Sequence, residues 1–243
     1  MRVFPLVILS LCLASCGTPL ISEPLPTPVG VSVAYPLYLQ PSADRVIECA
    51  IQQQSLSLFI SPSSIAPPDL PGRLLQLQLG GLIPEGSKAY QIGEEEIVFI
   101  VNADNPTTQL STVSLTEIYT GNMLHWDFGD HPLIEFVSYP EEDDLRALIE
   151  RNLPNLPRIS FRAEIVSTPR HVLDTVANHM EGFGYLPTSW VDSLDEEMRE
   201  RVKVLALETE LAESLTQPVL AIVDDLLSPE LHELLGCLQQ PED

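Results

Sequence analysis

Five consecutive apolar residues, Ile97-Val98-Phe99-Ile100-Val101, constrain this chain more than any other stretch. A run this short and this rich in β-branched residues is a strand covered on both faces, so other layers must lie above and below it. Asn102, Asp104, Asn105 and Pro106 end it. Ser114 and Glu117 follow at capping-box spacing. There a serine and a glutamate satisfy two otherwise unpaired N–H groups, so a helix is expected to start at Ser114. Gly121-Asn122 supplies its end.

The flanking chain fits an α/β fold. Residues 31–35 read as a strand. Ser42 reads as the cap of a helix over residues 43–54, with Val46, Ile47, Ala50 and Ile51 facing inward. Residues 56–60 form a second strand, and this strand–helix–strand opening indicates a parallel sheet. Residues 66–84, rich in proline and glycine, are expected to be loop with one short element at 74–79. Residues 88–92 are expected to pair with the buried strand. Further strands are expected at 133–137, 159–166, 182–186, 202–207 and 218–223. Helices are expected at 144–152, from Thr168-Pro169 to about residue 180, and from Ser228-Pro229 to about residue 236.

The order of features from residue 96 to residue 126 carries a resemblance. A buried strand, Asn105-Pro106, Leu115-Thr116, the turn Ile118-Tyr-Thr-Gly-Asn122 and Trp126 resemble the solute-binding proteins of phosphate-type ABC importers. Gly182-Phe-Gly-Tyr185 resembles the segment before that family's return crossing, which places the return at 202–207. The resemblance implies a two-lobed periplasmic-binding-protein-like fold. Each lobe would be a mixed, mostly parallel sheet flanked by helices, joined by two crossing strands. Lobe I would comprise residues 31–103 and 205–243, and lobe II residues 104–204. It also implies a small-solute ligand and an ABC permease as partner.

Arg2, an apolar run over residues 3–13 and Leu13-Ala-Ser-Cys16 form a signal peptide. The last four residues resemble the bacterial lipobox, which implies cleavage after residue 15 and a lipid on Cys16; the alternative is an ordinary secretory signal. Residues 16–30, with Pro19, Pro24, Pro26 and Pro28, read as an extended tether. Export leaves Cys49 and Cys237, an even pair that suggests one disulfide. The two-lobed topology puts both on first-lobe helices; the alternative is two buried thiols. The net charge of -23 argues against nucleic acid and against docking on anionic lipid, so the membrane is met only through the anchor.

Ligands of such sheets sit beyond the carboxyl ends of the strands, where helix N-termini present N–H groups. The first-lobe candidates are Tyr35, Ser61, Ser63 and Ser64. The second-lobe candidates are Ser138, Tyr139, Asp143, Asp144, Arg146, Thr168, Arg170 and Tyr185. The family's second-lobe loop looks like an Arg followed by Ser-Gly-Thr. Here Tyr139 stands near the Arg position, and Asp143, Asp144 and Leu145 near the rest. Four consecutive carboxylates, residues 141–144, invert the chemistry of an anion site. Like charges about 4 Å apart cost roughly 4 kcal/mol at an effective dielectric near 20. Acidic residues at a helix start equally serve the helix dipole, and that reading stays open. No nucleophile elbow, zinc-protease motif or phosphate loop occurs, so no catalytic residue, cofactor or metal is expected. His171 and His179 lie two helical turns, about 12 Å, apart, too far to share a metal. Three functions remain: an importer's solute binder, a non-transport acidic lipoprotein of the same fold, and a binder of a cation or polyamine at residues 141–144.

Overall fold

The computed structural model describes residues 27–53, 55–63, 72–153, 158–224 and 227–240. The signal segment, Cys16, most of the tether and Ser64 lie outside the described residues. Strand β1 (Val29–Ala34) leads through a 3-10 turn (Leu37–Leu39) to α1 (Gln40–Ile51) and β2 (Leu56–Ser61). Then come β3 (Arg73–Leu79), β4 (Ser87–Asn102), α2 (Thr112–Thr120), β5 (Glu135–Ser138), α3 (Asp144–Asn152), β6 (Glu164–Ile165), α4 (Pro169–Asn178) and β7 (Gly182–Pro187). The short α5 (Thr188–Asp192) and α6 (Glu196–Arg199), then β8 (Val202–Val204), α7 (Thr209–Leu215), β9 (Thr216–Asp224) and α8 (Pro229–Leu238) complete the order.

The strands lie side by side in the order β2-β1-β3-β9-β4-β7-β5-β6, with β8 also on β4. Both outer wings are parallel: β1 with β2 and β3, and β5 with β6 and β7. The pairs around β4 and β9 are antiparallel. β4 is the axis of the molecule. Residues 87–96 pair with β9, and from Ile97 onward the partner is β7. Ile97, Val98, Phe99, Ile100 and Val101 are all buried, as expected of a strand covered on both faces. Asn102 ends it with turn chemistry: its Oδ1 accepts from Asp104 N, and its Nδ2 donates to the carbonyls of Val176 and Ala177, capping α4.

Five local expectations are corrected. Residues 88–92 are not a separate strand but the first half of β4, and their partner is β9; a register shift between Gln91 and Gly93 bends the strand there. The cap of α2 is Ser111, whose Oγ accepts from Ser114 N at 3.1 Å. Buried Leu110, held by Ala206 O, turns the chain three residues earlier than the Ser114 pattern indicates. α1 begins at Gln40 without a side-chain cap, because the preceding 3-10 turn already delivers helical backbone and Pro41 needs no N–H in the first turn. The strand expected at 159–166 contracts to Glu164–Ile165, with Ser160 N bonded instead to Tyr119 O. The return is split: β8 stays beside the end of β4, α7 intervenes, and β9 runs along the first half of β4.

Gly182-Phe-Gly-Tyr185 has a packing reason. A Cβ on Gly182 would stand 2.8 Å from Val176 Cα, and one on Gly184 would stand 2.5 Å from Val172 Cγ1. The two glycines therefore let α4 lie directly on β7. Phe183 and Tyr185 alternate to the other face and join Phe99, Phe136 and Trp126 in an aromatic cluster. In the first wing, Cys49 on α1 and Cys237 on α8 are joined by a disulfide with Cα atoms 6.0 Å apart.

Candidate functional site

Two parallel pairs of strands, β1 with β2 and β5 with β6, end around one cleft of about 290 Å³. The chain after β1 contributes Pro36, Leu37 and Tyr38, and the chain after β2 contributes Pro62 and Ser63. From the opposite wing come Tyr139, Pro140, Glu142, Asp143 and Asp144 after β5, and Ser167 after β6. Among the described residues, the lining holds three carboxylates and no lysine or arginine.

α3 begins at this loop, and the chain's own N-cap takes up one of the free N–H groups. Asp143 is the N-cap, and its Oδ1 accepts from Leu145 N at 2.9 Å. Burial pushes the Asp143 carboxyl up to about 6, and the neighbouring charge of Asp144 adds to the rise, against the bond from Leu145 N. Tyr38, 2% exposed, donates its hydroxyl to Asp144 Oδ2 at 3.2 Å. Burial and then the charges of Asp144 and Asp143 push the Tyr38 phenol far up, so it stays a donor. Tyr139 is buried, and among the described residues its hydroxyl has no hydrogen-bond partner.

Of the residues singled out from sequence, Ser63, Tyr139, Asp143 and Asp144 come together here. Tyr35 turns away, its hydroxyl donating to Gln40 Oε1 at 2.7 Å. Ser61 is the last residue of β2. Ser138 and Tyr185 form a buried hydroxyl pair at 2.8 Å inside the second wing. Arg146 also points inward, with Nε 2.7 Å from Glu150 Oε1 and Nη1 donating to Tyr139 O. Thr168 caps α4, and exposed Arg170 pairs with Asp174 at 3.0 Å. Tyr38 was not among the candidates. The sequence shows only two tyrosines three apart after a strand, Tyr35-Pro-Leu-Tyr38; the 3-10 turn at Leu37–Leu39 carries the second to the opposite wing.

A larger groove of about 1140 Å³ runs along residues 91–96 of β4, between α5 and the start of α1. On its wall Glu95, 5% exposed, accepts from Ser189 N at 2.9 Å, and burial raises its pKa. Among the described residues, no group of three or more His, Cys, Asp or Glu side chains is placed to hold a metal ion.

No protein-family model matches the sequence, and no curated protein matches it. Solved structures do match. A phosphate ABC transporter substrate-binding protein from Clostridium perfringens, with bound phosphate, superposes with a TM-score of 0.68 at 16% identity, over 86% of this chain and 92% of that one. The chain has the periplasmic-binding-protein fold. An ABC-type phosphate transport receptor from Vibrio cholerae matches at 0.61 and 17% identity, over 87% and 94% of the two chains. The reduced OxyR regulatory domain from Pseudomonas aeruginosa matches at 0.60 and 13% identity, over 88% and 97%. Identities this low carry the fold alone. In this fold the cleft between the wings holds three carboxylates and a buried tyrosine pair, Tyr38 and Tyr139.

Proposed function

We propose that the chain is a lipid-anchored, extracytoplasmic solute-binding protein of an ABC importer, related in fold to phosphate binders but with an anion site that has lost its anion chemistry. One observation carries the reading: the cleft lies at four strand ends and is lined by Glu142, Asp143 and Asp144 with no cation among the described lining residues, while Asp143 takes up the Leu145 N–H of α3 that an anion would use. The two arginines singled out from the sequence, Arg146 and Arg170, bond to Glu150 and Asp174 instead. The change of β4's partner at Ile97 supports two lobes, with residues 31–103 and 205–243 in one and 104–204 in the other. No helix among the described residues is long and apolar enough to cross a membrane. The proposed attachment is through Cys16.

Calorimetry at neutral pH tests the site. Phosphate should bind more weakly than millimolar, and a micromolar dissociation constant would defeat the reading. A screen of uncharged and cationic solutes by thermal melting tests the transport role. A true ligand at about a hundredfold excess over its Kd adds roughly 2.7 kcal/mol of stability. Cys16→Ser should release the protein from membranes; unchanged fractionation and mass would remove the anchor.

A second reading, a partner-binding module on the same fold with no solute, is favoured by one contact: the cleft is already spanned by Tyr38 and Asp144. A regulatory domain shares this fold, so the fold is compatible with roles outside transport.

A further inference from the structure

Three separate stretches of chain meet at Tyr38. It lies in the 3-10 turn after β1, on the first wing. Its hydroxyl donates across the cleft to Asp144 Oδ2, at the start of α3 on the second wing, over 3.2 Å. Its carbonyl accepts from Trp190 Nε1 at 2.9 Å, from α5, the helix that follows β7. β1 and β5 stand on opposite sides of β4, so both bonds tie one wing to the other. α5 is itself fastened to the axis: Ser189 N donates to Glu95 Oε1, and Thr188 Oγ1 donates to Glu96 O at 3.1 Å. These last two bonds fall where β4 changes partner from β9 to β7, the natural place for a bend.

We infer that Tyr38 and Asp144 form a built-in latch that holds the cleft closed without a solute. The latch needs no third component, because one wing supplies the donor and the other the acceptor. Tyr38 is 2% exposed in the latched arrangement, so its ring is held by packing as well as by the bond. A solute that releases the latch must replace both halves of the bond. It must give Asp144 a donor and take a hydrogen bond from Tyr38. Tyr38 is thereby a specificity-determining residue, and a solute with donor and acceptor on adjacent atoms and no negative charge fits it. That consequence for solutes rests on the binding role proposed above; the latch itself rests on the contacts alone.

The test uses the full chain with no added solute. Small-angle scattering reads the separation of the wings, and acrylamide quenching reads exposure of Trp190, with buried Trp126 as the internal reference. Wild type should be compact, with Trp190 shielded. Tyr38→Phe keeps the ring and removes only the donor; Asp144→Ala removes the acceptor at an exposed helix position. Each should raise the open fraction about fivefold, as expected for loss of one hydrogen bond of ordinary strength. The double variant should open no further than either single one, since both delete the same bond. Wild type that is already open, or singles indistinguishable from wild type in both measurements, would overturn the latch. Far-ultraviolet circular dichroism identifies a variant that has simply unfolded, and Tyr38→Phe, which keeps the packing, then decides the matter alone. The two ideas fail separately. A solute screen that finds nothing removes the transport role and leaves the latch standing, while unchanged variants remove the latch and leave transport open.

Discussion

The two wings of the sheet share a parallel strand plan but are held together by different means. In the first wing, edge strand β2 alternates between half-buried and exposed residues, with Phe59 and Ile60 both exposed, so its packing is thin. That wing is closed covalently, by the Cys49–Cys237 bond between α1 and α8. The second wing has no such bond. It is closed by close packing, with α4 seated on the glycines of β7 and aromatic rings filling the opposite face. The comparison teaches that a wing can present a polar, acidic loop to the cleft if its own interior is dense. The acidic residues 142–144 come from the densely packed wing, and the covalently closed wing contributes Tyr38.

The largest expected effect comes from breaking the first wing's closure. A bond spanning 188 residues contributes ~5 kcal/mol in the chain-entropy model. Cys49→Ser with Cys237→Ser should lower stability by up to that amount. Amide exchange should rise first in α1, α8 and β2, leaving α4 and β7 protected. Uniform loss of protection across both wings would abolish the distinction drawn here. Gly182→Ala strikes the second wing instead. The added methyl meets backbone at 2.8 and 3.0 Å, so α4 must lift, at a cost of about 1–3 kcal/mol in denaturant unfolding. A neutral result would mean that α4 is not tightly seated.

Asp143 probes the cleft face of that wing. Its folded-state pKa is raised from 3.8 to about 6, chiefly by burial. The native protein therefore binds more protons than the unfolded chain between about pH 4 and pH 6. The stability involved is present in acid and lost as pH rises through that window. Asp143→Asn keeps an N-cap and removes the charge. It should be more stable than wild type by about 1–3 kcal/mol above pH 6, with the gap closing below pH 4. Parallel pH profiles for the two proteins would show that Asp143 is better solvated than its burial implies. The smallest effect belongs to Ser111→Ala, which removes the cap of α2 and should cost about 1 kcal/mol; a loss above 2 would indicate that Ser111 does more than cap.

Features governed by neighbours in the chain were legible in the sequence. The doubly covered strand followed from its uninterrupted β-branched run. The span of α3, residues 144–152, followed from its apolar period and acidic start, and the end of α2 from Gly121, whose φ of 76° places it in the left-handed region. The Cys49–Cys237 pair followed from cysteine arithmetic together with the expected topology. The acidity of the cleft was likewise visible in residues 141–144.

Tertiary structure alone decided which side chains face one another. Tyr35 and Tyr38 are equivalent by type, and only the 3-10 turn sends one to Gln40 and the other across to Asp144. Arg146 lies beside the carboxylates in sequence, yet the helical repeat rotates it into the core against Glu150. The split return and the cap at Ser111 depend on residues about a hundred positions apart, Leu110 against Ala206 and Phe99 against Leu205. The physical reason is range. Periodicity and turn chemistry are set by neighbours a few residues apart. The chemistry of a cleft is set by the register between strands that meet only after the chain has closed upon itself.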